Sequence, residues 1–126
     1  MANPVHIEKL NEGVEAWNRW RAGREILTDL SEADLSGKDL SHADMRGANL
    51  EHAKLRSVTL GPGTLLWNAN LSKADLYRAN LSGADLQDVN FTGADLFQAN
   101  LREANLQGGD LSRRPRRIAN GATCRR

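Results

Sequence analysis

Residues 66–106 read LWNAN LSKAD LYRAN LSGAD LQDVN FTGAD LFQAN LREAN L, and the interval of five between their large apolar residues decides the fold. Leu66, Leu71, Leu76, Leu81, Leu86, Phe91, Leu96, Leu101 and Leu106 head successive groups, and Leu111 continues them. Toward the N-terminus the same interval runs through Leu30, Leu35, Leu40, Met45, Leu50, Leu55 and Leu60, with a phase slip of one residue at Gly61-Pro62-Gly63. Two residues before the centres alanine dominates, as Ala33, Ala43, Ala48, Ala53, Ala69, Ala74, Ala79, Ala84, Ala94, Ala99 and Ala104. Asp or Asn nearly always stands between the two.

A period of five is neither 3.6 nor 2. A helix would spread these leucines around its circumference, and a long strand would alternate them between faces. A chain that turns at every repeat returns each leucine to the inside. In extended backbone residues i and i−2 share a side, so a large Leu and a small Ala point inward together. The Asp or Asn between them faces outward. Gly37, Gly47, Gly83, Gly93 and Gly108 fall on the second residue after a centre, where a corner needs unusual backbone angles. Gly61-Pro62-Gly63 reads as a bulged corner that leaves Leu66 in its core place. Lys38 occupies an alanine position, where an inward ammonium is costly unless it snorkels out or meets a partner.

The unit A-[DN]-L-x-x, repeated over residues 28–112, resembles the pentapeptide-repeat family. The resemblance implies an all-β solenoid: a right-handed quadrilateral parallel β-helix with four repeats per coil. The seventeen centres then make about four coils, a column roughly 20 Å tall at ~4.8 Å per coil. Residues 1–26 are expected to form an N-terminal capping α-helix and lead-in, 27–112 the solenoid, and 113–126 a basic, disordered tail. Within 4–22, Asn3-Pro4 marks a helix start. Ile7, Leu10, Val14 and Trp17 follow at helical spacing, with Trp20 at the edge of the stripe. The stretch Gly13–Arg21 also resembles the capping helix of some family members, so Leu10, Val14, Trp17 and Trp20 are expected to pack as a cap.

The 126 residues suit one domain, and only 5% are aromatic, so leucine and alanine must fill the core. The lone Cys124 cannot form an internal disulfide. Neither a signal peptide nor a membrane span is apparent, which makes a cytoplasmic location the expectation. Arg113, Arg114, Arg116, Arg117, Arg125 and Arg126 crowd the tail; residues 1–112 keep 11 basic and 16 acidic side chains, a net −5.

Nothing here predicts catalysis. His42 and His52 lie two repeats apart, on opposite corners of a four-sided coil, and His6 lies in the cap. No zinc-ligand spacing appears. The outward aspartates are spread by the repeat rather than paired in a pocket. Gly61-Pro62-Gly63 lacks the lysine and helix of a phosphate loop. A filled column leaves no cavity, so no cofactor and no metal are expected.

The outward positions are more informative. Stacking at intervals of twenty or twenty-one residues places Arg56, Tyr77 and Phe97 on one face and Arg46 below Trp67, beside Leu65, on another. Such ladders stabilise neighbouring coils by ring stacking and cation–π contact, and this reading ranks ahead of binding. If the chain binds a partner, these six residues form the candidate surface. The leading functional expectation is a non-catalytic scaffold or protein-interaction module whose partner is another protein. The resemblance adds two alternatives: a DNA mimic that binds DNA gyrase, and an end-to-end homodimer through the C-terminal coil. The arginine-rich tail adds weak contact with nucleic acid or an anionic surface.

Overall fold

Each pentapeptide forms one side of a square coil. In the computed structural model, which describes residues 1–24 and 27–109, parallel bridges join residues twenty apart, or twenty-one apart across the Gly61–Gly63 insertion. They form four columns. Side 1 stacks Asp29, Asn49, Asn70 and Asn90; side 2 stacks Asp34, Lys54, Asp75 and Asp95. Side 3 stacks Asp39, Thr59, Asn80 and Asn100; side 4 stacks Asp44, Leu65, Asp85 and Asn105.

The backbone ladder explains the repeat. Each centre donates its amide to the coil above, as Leu30 N–H does to Asn49 O at 2.8 Å. The residue before each centre donates to the coil below, as Asn49 N–H does to Thr28 O at 2.8 Å. Corners close a turn back to their own centre, as Ala33 N–H does to Leu30 O at 3.1 Å; at the insertion Thr64 N–H closes instead on Gly61 O at 3.2 Å. The second residue after each described centre has positive φ except at Leu60, where Pro62 holds that place and Gly63 takes the angle at φ +83; ten of these corners hold a non-glycine residue, among them Ser57 and Arg78.

The outward Asp or Asn pins that turn. Its Oδ1 accepts the amide two residues on: Ser31 from Asp29 at 3.0 Å, Ser82 from Asn80 at 3.1 Å, Phe97 from Asp95 at 3.0 Å. This side-chain mimic of a turn is the habit that suits Asp and Asn to loops. In the second coil Lys54, Thr59 and Leu65 replace it, so only Asn49 makes the bond there, to the Glu51 amide at 3.1 Å.

The inward residues make one continuous core. The sixteen described centres from Leu30 to Leu106 are all buried; Leu111 lies outside the described residues, as does the tail at 113–126. The insertion is repaired from inside. At the other corners of the first coil the amide donates to the corner above, as Gly47 N–H does to Trp67 O. At His42 the acceptor is instead Thr64 Oγ1 at 3.2 Å, from a side chain with 0% exposure. Thr64→Val, which keeps the shape and deletes the acceptor, is expected to cost about 1–3 kcal/mol by leaving that amide unmet. Urea unfolding checks it; a change within error would show that water replaces the hydroxyl.

The N-terminal segment is two helices rather than the single one expected over 4–22. Helix α1 spans Pro4–Asn11 and α2 spans Val14–Arg21. Gly13, at φ +112, breaks the run in a conformation few L-residues adopt. Asn3 caps α1 through the Val5 amide at 2.9 Å. Leu10 and Trp17 are buried in the core, with Val14 and Trp20 packed against it. No described helix is long and apolar enough to cross a membrane.

Candidate interaction surfaces and the lower end

The column exposes few large apolar groups. Between Leu30 and Leu106 these are Trp67 and Phe97, each 38% exposed. They lie on opposite sides, 4 and 2, so the six candidate residues form two clusters.

On side 2, Tyr77 stacks on Phe97 with centroids 5.9 Å apart and planes 18° from parallel. The Arg56 guanidinium lies 5.4 Å from the Tyr77 ring, and Arg78 lies 5.5 Å from it. Both cations are anchored, Arg56 by the Asp75 carboxylate and Arg78 by Gln98 Oε1 at 2.9 Å. On side 4, Arg46 sits 5.6 Å from the Trp67 ring and is held in a fork by Asp44 at 2.8 and 2.7 Å; Leu65 is half-buried beside it. Each cluster ties coil to coil, because neighbouring rungs supply its members. The aromatic edges remain open to solvent.

The lower end of the first coil is dressed by side chains. A parallel ladder leaves its first rung without a coil below, so its amides and carbonyls need other partners. On side 1, His6 Nδ1 accepts the Asp29 amide at 2.9 Å and the Asn3 amide reaches Asp29 O at 3.0 Å. On side 4, Asn18 Oδ1 accepts the Asp44 amide at 2.8 Å and Trp17 Nε1 donates to Asp44 O at 2.8 Å. Asn18 Nδ2 meets His42 O at 2.9 Å, and Arg21 meets Arg46 O at 3.1 Å. His6, Asn18 and Arg21 carry no sequence signal for this role, since it depends on where α1 and α2 land. Burial lowers the pKa of the Arg21 guanidinium, the Asp44 charge opposing, and its Nε has no hydrogen-bond partner among the described residues.

All four first-coil aspartates titrate below the usual carboxylate range. Asp29 and Asp39 are held there chiefly by serine hydroxyls, at Ser31 and Ser41. For Asp34 the leading cause is the Ser36 amide, and for Asp44 it is the Arg46 guanidinium. A depressed folded pKa stabilises fully above the unfolded value, near ~3.9 for aspartate, and the gain is lost as pH falls through the folded value. Between pH 5 and about 2 the first coil should therefore loosen ahead of the others. Amide exchange over that range checks it; Asp39→Asn, which keeps the acceptor without the titration, should blunt the loss on side 3. Uniform loosening of all coils would contradict it.

A family model described as pentapeptide repeats matches residues 27–61, 63–93 and 79–113. This chain belongs to the pentapeptide-repeat family. The four-sided column is accordingly the family's right-handed quadrilateral β-helix. Among solved structures, the chain is similar to HetL, a pentapeptide-repeat protein involved in heterocyst differentiation regulation from the cyanobacterium Nostoc sp. strain PCC 7120. Identity is 41% over 64% of this chain and 34% of HetL, with a TM-score of 0.62; the match thus spans about a third of HetL's length. It is similar also to the pentapeptide-repeat protein alr5209 from Nostoc PCC 7120, with 37% identity over 86% of this chain and 74% of that one, TM-score 0.38. The pentapeptide-repeat protein Rfr23 from Cyanothece 51142 shares 37% identity over 69% and 62%, TM-score 0.35. None of the curated proteins compared matches the chain.

Proposed function

We propose that this pentapeptide-repeat chain is a non-catalytic protein-interaction module: a column of about four coils, capped by α1 and α2, that holds a partner protein against side 2. The observation that carries the reading is the Arg56–Tyr77–Phe97 cluster, a set of anchored cations and stacked rings with an open edge on a rigid side. Aromatic and arginine side chains fixed in place are the groups that anchor protein contacts, because little freedom is lost when they are covered. Similarity to HetL, which takes part in a regulatory process, supports an interaction role.

The test is affinity capture from native-host extract with wild-type protein and a Tyr77→Ser/Phe97→Ser variant of unchanged circular dichroism. A protein retained by the wild type should drop by about tenfold or more with the variant, the loss of one anchor. Equal retention would end the assignment to side 2.

A DNA mimic directed at gyrase receives less support. The outward rungs mix Asp with Asn, Lys54 and Leu65, so no side carries an unbroken line of charge like that of duplex DNA. A supercoiling assay with purified gyrase separates the two readings. The tail as a binder of anionic surfaces, and the homodimer through the C-terminal coil, both rest on residues outside the described ones.

A further inference from the structure

The N-terminal helices dress only half of the lower end. Sides 1 and 4 of the first coil have their edge groups met by Asn3, His6, Trp17 and Asn18. On sides 2 and 3 the amides and carbonyls of Asp34 and Asp39 meet no partner among the described residues. These four groups repeat the pattern that every higher rung presents to the coil beneath it. Beside them runs a groove of about 780 Å³, with Ala2, Pro4 and Ile7 on one wall and Ala33, Asp34, Leu35 and Lys38 on the other.

Lys38 makes this edge more than a bare end. It stands where the repeat places alanine, is half-buried, and forms no ion pair among the described residues. The other charged groups at the groove have partners: Asp34 accepts the Ser36 amide at 3.1 Å, and Glu32 pairs with the Met1 ammonium at 3.2 Å. Lys38 is therefore a departure from the fold's own rule, an ammonium without an ion pair among the described residues at the mouth of an open strand edge.

We propose that this groove receives an extended, acidic segment of a partner protein, which adds one further rung beneath side 2. Its backbone pairs with Asp34 as a lower coil would, apolar side chains lie against Ile7 and Leu35, and a carboxylate meets Lys38. Committing the occupant to an acidic chain follows from the unmatched ammonium, and to an extended one from the ladder pattern. The inference rests on the reading of this chain as a protein-binding module but uses a different place on it. Serine at Tyr77 and Phe97 leaves the groove intact, so either site can fail while the other stands.

The probe is a seven-residue peptide alternating valine and glutamate, titrated into ¹⁵N-labelled full chain. Saturable shifts are expected at Asp34, Leu35 and Lys38, with slowed exchange of the Asp34 amide. Lys38→Ala should weaken binding by about tenfold or more, as loss of a partly buried ion pair does, and Lys38→Arg should retain it. The alanine variant is safe for the fold, since alanine fills this place on most other rungs. Absence of saturable shifts, or equal binding by Lys38→Ala, would overturn the proposal. So would preference for a valine–lysine peptide, or for a peptide of residues 113–126, which would make the occupant a basic chain or a second copy.

Discussion

Leu76→Ala is expected to lower the unfolding free energy by about 2–5 kcal/mol, enough to threaten a domain whose whole stability is of the order of 5–15 kcal/mol. Leu76 is fully buried in the third coil, with Leu55 beneath and Leu96 above on the same side. The cavity has little room to collapse, because the coils are tied at fixed spacing: Leu55 N–H to Asp75 O at 2.8 Å and Leu76 N–H to Asp95 O at 2.8 Å. In a stack where each coil touches only its neighbours, a defect in the middle weakens two interfaces. Leu35→Ala, in the first coil, should cost less. Urea unfolding of both variants decides; equal losses would mean that the column does not behave as a chain of nearest-neighbour units.

Trp17→Ala is expected to cost about 3–5 kcal/mol, the range for emptying a large aromatic site. The ring is fully buried, tilts against Trp20 at 5.4 Å, and donates to the Asp44 carbonyl. Trp20 in turn leans on His6 at 5.3 Å, so removing Trp17 loosens the group that also dresses Asp29. Trp17→Phe keeps most of the apolar body and should lose only about 1 kcal/mol, the hydrogen bond alone. Faster amide exchange at Asp29 and Asp44 should accompany the alanine variant. Unchanged exchange there would mean that the two helices are not what closes the lower end.

The inward half of this molecule was readable before any coordinates. A five-residue period with Leu and Ala two apart places Leu30 through Leu106 inside, and those side chains are buried. The outward half was readable only as position. That Tyr77 stacks on Phe97 follows from their twenty-residue interval; that Arg56 leans on Asp75 and Arg78 on Gln98 depends on rotamers no interval specifies. Gly61-Pro62-Gly63 reads as a bulged corner, but the repair of the His42 amide by Thr64 just beyond it emerges only when two coils are superposed. The cap departs from its sequence pattern in one respect: the spacing of Ile7, Leu10, Val14 and Trp17 suits one straight helix, and Gly13 divides it. His6 and Asn18 were invisible as edge partners because they act on residues more than twenty positions away.

The pinned corners have a consequence for how such a column varies. Each uses a single side-chain oxygen, and Asp and Asn both possess it. Asp29, Asp34, Asp39, Asp44, Asp75, Asp85 and Asp95 make the bond, and so do Asn49, Asn70, Asn80, Asn90, Asn100 and Asn105. The backbone therefore cannot tell the two residues apart, and a one-atom exchange writes or erases a negative charge at any of these places. The same scaffold can carry many electrostatic messages on its sides, each addressable rung by rung without disturbing the leucines within.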